Sequence, residues 1–172
     1  MTISVFESTI PQFMLSLKAL GTILQKAEQY AEVKKIKPSV ILESRLALDM
    51  FPFYRQVQIA TDNAKGCAFR LTGVQAPTFE DHVQNFQELQ ERIQKTISYL
   101  EGIKPENFQG FESKKAEFPW YPGKYLEGKD YLIQHALPNY YFHVTTAYAI
   151  LRSHGVELGK GDFLGNQNWK TK

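Results

Sequence analysis

The sequence predicts an all-α four-helix bundle, and three observations carry that expectation. Apolar residues recur at intervals of three and four along four separate stretches. Prolines, glycines and capping residues bracket those stretches. A proline-, glycine- and aromatic-rich segment, 105–136, precedes the last of them and reads as one long crossover containing a small β-hairpin.

The first stripe is Ile10, Phe13, Leu17, Leu20, Leu24, Ala27 and Ala31, which predicts a helix reaching about Tyr30, capped by Ser8 or Thr9, with Pro11 tolerated in its first turn. After it, KPSVILESRL predicts one short helix capped by Ser39. The second stripe, Phe53, Val57, Ala60, Ala64, Cys67 and Leu71, starts behind Asp49 and Pro52 and stops at Gly73. Thr78 with Asp81 resembles a capping box for a third helix carrying Val83, Phe86, Ile93, Ile97 and Leu100, ended by Gly102 and Pro105. The fourth stripe is Leu137, Tyr141, Val144, Tyr148 and Leu151, with Pro138 marking its start and Gly155 its stop.

With 172 residues, 43% of them hydrophobic, the chain suffices for one domain, 1–172, burying roughly 70% of its unfolded surface. Twenty Lys plus Arg stand against eighteen Asp plus Glu, interspersed rather than gathered into a stripe, so nucleic acid is not expected as a partner. The run Lys34, Lys35, Lys37 follows Glu28 and Glu32 and reads as a solvated helix end. The single cysteine, Cys67, cannot pair internally and lies on an apolar stripe, so it reads as a core thiol in a reducing, cytoplasmic setting. MTISVFESTIPQF lacks a basic leader and carries Glu7, and no apolar stretch approaches the roughly 18 residues of a membrane span, so no membrane association is expected. Neither GxSxG, a P-loop nor a Rossmann glycine pattern occurs, and GKGDFLG is too short and too late to open a nucleotide-binding helix.

The residues able to carry chemistry gather on the second and fourth helices. Asn139, His143, Ala147 and Ile150 share a face of the fourth. Arg55, Gln56, Gln58, Asp62, Asn63 and Lys65 make the second unusually polar. Two readings stay open. These groups are an ordinary wet face with a satisfied core histidine, or they form a pocket where His143 and the tyrosines Tyr140, Tyr141 and Tyr148 meet Gln58 and Asp62 around a small polar ligand. Of the other histidines, His82 and His135 suit exposed or capping positions, and His154 suits a helix C-terminus.

The blocks PNYYFHVTTAYAILRSHGVELGKGDFLG, 138–165, and DMFPFYRQVQIATD, 49–62, resemble the DinB/YfiT-like superfamily, and within it the bacterial family called domain of unknown function nineteen-ninety-three. The resemblance covers nearly the whole chain and implies an up-down-down-up DinB-like bundle. Many DinB-like proteins bind a divalent metal through one histidine on helix two and two histidines four residues apart on helix four. The resemblance places His143 at the second helix-four ligand and Asn139 at the first, and no histidine precedes Asn63, so helix two offers Arg55, Gln56, Gln58 and Asp62 instead. A degenerate site follows, with no cofactor expected; a metal, if held, would take His143, Asp62 and Gln58. The function expected is a small-ligand-binding or self-associating module centred on Arg55, Gln58, Asp62, Asn139, His143 and Tyr148. The alternative the superfamily implies is a metal- or thiol-dependent transferase or hydrolase centred on His143. The aromatics of FPWYPGKYL, with Phe163, Leu164 and Trp169 of the tail, further predict a homodimer.

Overall fold

Helix ends are set by whichever side chains reach the unpaired backbone groups, and in the computed structural model, which describes residues 3–81 and 85–171, these differ from the predicted ones at several places. Helix α1 (Val5–Lys34) is opened by Ser4, whose hydroxyl accepts from the Glu7 N–H at 3.1 Å while the Glu7 carboxylate accepts from the Ser4 N–H at 2.8 Å. Ser8 and Thr9 are not the caps, because their hydroxyls turn back onto the Val5 carbonyl at 3.0 and 2.7 Å. Pro11 therefore lies in the second turn, inside the helix. The helix runs past Tyr30 to Lys34 and is closed by Lys35 in the left-handed region, φ 54°.

Helix α2 (Pro38–Leu42) is the expected short helix, but Pro38 fills its first position and Ser39 lies within it rather than capping it. Helix α3 (Phe53–Thr72) begins after Pro52 and ends at Gly73, whose φ of 82° requires glycine, as predicted. Helix α4 (Phe86–Glu101) is capped by Asn85, whose side chain accepts from the Glu88 N–H at 2.9 Å. Thr78 and Asp81 start no helix: 73–81 is irregular chain laid along α3 and α4. His82 and Val83 lie outside the described residues.

The crossover contains two 3₁₀ turns, Pro105–Phe108 and Phe111–Ser113, and the expected hairpin, β1 (Lys115–Glu117) antiparallel to β2 (Tyr125–Glu127) with Ala116 opposite Leu126. It ends earlier than 136. From Gly128 the chain is helical without interruption, through α5 (Gly128–Asp130), a π-helical turn (Tyr131–Ala136) and α6 (Leu137–Ser153). Pro138 is thus interior, not a start. It has no N–H to donate to the preceding turn, and the wider π turn just before it loosens the ladder where that donor is missing. At the joint, a Cβ on Gly128 would collide with the Phe111 carbonyl, so the close approach of these backbones requires glycine.

The four long helices pack as a square: α3 against α6 and α4, and α1 against α4 and α6. Phe13, Leu17, Leu20, Val57, Ala60, Ala64, Leu89, Ile93, Val144 and Ala147 belong to one buried cluster. Ala60, Ala64 and Ala68 of α3 and Ala147 of α6 are all buried in it, and α3 and α6 pack extensively on each other. A short appendage, α7 (Lys160–Leu164), docks on α1 through Lys26 and Asp162 at 2.7 Å. No helix among the described residues is long and apolar enough to cross a membrane.

Candidate functional site

Gln56 occupies a position on the apolar stripe of α3, three residues after Phe53 and four before Ala60, and it is buried. A buried amide must find partners. Its Nε2 donates to the Phe51 carbonyl at 3.0 Å, which turns its Oε1 toward His143 Nδ1 at 2.7 Å. Reversing the amide would set two oxygens against each other, so Oε1 is the acceptor and Nδ1 carries the proton. The imidazole is therefore held as the Nδ1–H tautomer with the Nε2 lone pair available. Burial, reinforced by the Arg55 guanidinium, pushes the His143 pKa down to about 4. The ring is neutral at physiological pH, is 8% exposed, and meets the Phe142 ring edge-on at 5.2 Å.

One level along the same seam, Asn139 donates to Asn63 Oδ1 at 3.0 Å. The pairs Gln56–His143 and Asn63–Asn139 show that α3 and α6 run antiparallel, with two polar rungs set in an alanine-lined interface. Arg55 lies at the upper rung and also leaves it, donating to Gln58 Oε1 and to the Asp81 carboxylate, both at 2.9 Å.

Gln58 and Asp62 serve a different partner. Gln58 Nε2 donates to the Asp81 carbonyl at 2.9 Å. Asp62 is paired with Arg92 at 2.8 Å and Lys65 at 3.3 Å. Arg92, almost wholly buried, also donates to Thr61 Oγ1 and the Glu80 carbonyl at 2.9 Å, and Lys65 donates to the Pro77 carbonyl at 2.9 Å. Phe79 lies under both cations, 4.5 Å from Lys65 and 4.8 Å from Arg92. This network fastens 74–81 to the bundle. The hydrogen bond of His143 thus goes to Gln56, whereas Gln58 and Asp62 bond to the loop and to α4.

Tyr148 leaves the seam altogether: its hydroxyl donates to the Leu158 carbonyl at 3.4 Å and its ring packs on Phe163. Tyr140 is core, its ring tilted against Phe13 at 4.6 Å with its hydroxyl near the Phe13 carbonyl. His135 is neither exposed nor a cap but is packed between Phe118 and Tyr131. His154 does end α6, with Nδ1 on the Ile150 carbonyl at 2.8 Å. Cys67 is buried, and desolvation pushes its thiol up to about 12, far from a reactive thiolate.

The donor set of a divalent ion is incomplete here. His143 has the orientation of a ligand, one nitrogen fixed by an amide oxygen and the other available. Asn139, Gln58 and Asp62 are each committed to protein partners, and Arg55 places a positive charge beside the imidazole. Among the described residues, no three of His, Cys, Asp and Glu are grouped to hold a metal ion. These residues do not fit one.

Four long helices, the last preceded by a long crossover, make up a helical bundle of the DinB class. The chain belongs to the family described as a domain of unknown function, DUF1993, which it matches over residues 5–164. It is similar to a DinB family member protein from Shewanella denitrificans, solved by crystallography at 1.83 Å, with 45% identity and a TM-score of 0.92 over 98% of this chain and 96% of that one. No curated protein matches the sequence.

Proposed function

We propose that this DinB-like bundle binds a small polar ligand at the α3–α6 seam without a metal, in the cytoplasm. The observation supporting the reading is the Gln56 amide, bonded on one side to the Phe51 carbonyl and on the other to His143 Nδ1. That pairing fixes the tautomer and so leaves His143 Nε2 as a hydrogen-bond acceptor. His143 Nε2 would accept an O–H, and Arg55 would attract a neighbouring anionic group, so a short hydroxy acid is the ligand chemistry that matches. Asn139 and Gln58 are committed to protein partners, which leaves His143 Nε2 and the Arg55 charge as the groups that would meet a ligand.

Two titrations of tag-free protein test this. Glycolate should shift the His143 ring signals saturably in NMR, and His143→Phe should abolish the effect. Zinc chloride should give no stoichiometric heat. A tight zinc site lost in His143→Ala would overturn the metal-free reading in favour of metal-dependent chemistry, and glycolate without effect on His143 would overturn the ligand.

A further inference from the structure

We propose that the mouth of the β1–β2 hairpin is a binding site for a small aromatic carboxylate. A cavity of about 250 Å³ lies there, lined by Phe118, Tyr121, Lys124, Tyr125, Leu126 and His135. Strand alternation turns Ala116 and Leu126 inward, and Phe118, just beyond β1, follows them into the core at 8% exposure. Its ring is fixed by His135 at 4.6 Å, Tyr131 at 5.9 Å and the Arg70 guanidinium at 5.0 Å. Tyr121 and Tyr125 stay exposed, so the other walls are open to a ligand.

Among the lining residues the one formal charge is positive. Lys124 is its charged lining residue, and Lys115 holds an ammonium 4.5 Å over the Tyr125 ring. The hairpin carboxylates Glu117 and Glu127 are not among the lining residues. Burial and the nearby Arg70 lower the His135 pKa, which favours the neutral imidazole with its one N–H. Neither of its ring nitrogens is hydrogen-bonded among the described residues. An aromatic ring placed against Phe118 and Tyr125 would set its carboxylate to accept from the Lys124 ammonium and the His135 N–H. Cations are repelled by Lys124. Neutral rings leave Lys124 unused, and aliphatic acids forgo the ring contacts. The volume admits a single substituted ring.

The test is a benzoate titration read by Trp120, which lies 5.1 Å from Phe118, in a Trp169→Phe background that leaves it the sole tryptophan. Saturable quenching in the submillimolar to millimolar range is expected, with cyclohexanecarboxylate and benzyl alcohol at least about tenfold weaker. Lys124→Met and Tyr125→Ser, both at exposed positions, should each weaken benzoate by about tenfold without changing the melting curve. His143→Phe should leave it unaltered, which separates this site from the seam. Absence of saturation, equal binding of cyclohexanecarboxylate, or indifference to Lys124→Met would overturn the proposal. So would a doubled mass in light scattering that returns to 19.8 kDa on Tyr125→Ser, because a second copy would then cover the cavity.

Discussion

The Gln56 amide stands 2.7 Å from the His143 imidazole and 3.0 Å from the Phe51 carbonyl, so one side chain sets both the tautomer and the tilt of the other. Because the loop carbonyl fixes the amide, the histidine reports on the Ser44–Pro52 connection as well as on its own helix.

Stability should fall with acid in a window set by His143. Its folded pKa is about 4 against an ordinary 6.5, so between these values the unfolded chain binds more protons. The contribution is fully present above 6.5 and is lost as pH falls through 4. Urea unfolding at neutral and acid pH should show a loss of about 2 kcal/mol from this group, absent in His143→Gln.

Gln56→Glu should reverse that behaviour. A carboxylate in place of the amide favours the imidazolium and should raise the His143 pKa by about two units, measured by NMR titration. An unmoved pKa would mean the Gln56–His143 bond is not made in solution.

Removing Arg92 should free the loop it fastens. Arg92→Met leaves Asp62 with Lys65 alone and unpairs the Glu80 carbonyl, at an expected cost of about 3 kcal/mol. Hydrogen exchange should accelerate in 74–81 well before it does in α3. Uniform acceleration would show that the network holds the whole bundle rather than the loop.

Gly128→Ala should be severely destabilising, by more than about 2 kcal/mol, because the added methyl meets the Phe111 backbone, which cannot move aside like a side-chain tip. Gly161, in α7 with nothing within 4 Å of its would-be Cβ, is the control: alanine there should stabilise by about 0.5 kcal/mol. Thermal melts of the two variants check both signs.

The long helices were legible because their stripes repeat over many turns, and Gly73 was legible because a glycine just past an apolar stripe suits the left-handed position that closes a helix. Ends were less so. Ser4–Glu7 carries a fuller capping signal than Ser8 or Thr9, but it precedes the first apolar residue of the stripe by several positions. Asn85–Glu88 competes with Thr78–Asp81, and the choice falls to tertiary contacts from Lys65 and Arg92 that no local window contains. At the site, a shift of two residues along α3 decided the partner. Gln56 rather than Gln58 meets His143, and the available signal was a polar residue interrupting an apolar stripe. Arg92, between Leu89 and Ile93, gave the same signal.

The square packing also dictates an order of assembly. Since α1 and α3 lie across its diagonal, neither completes its surroundings until α6 arrives, and the bonds that seat α6 span 87 residues from Gln56 to His143 and 127 from Phe13 to Tyr140. During synthesis the alanine face of α3 must wait, uncovered, for nearly the entire chain to emerge, so closure is a late and non-local event, slower than in a bundle whose neighbours are joined by short loops.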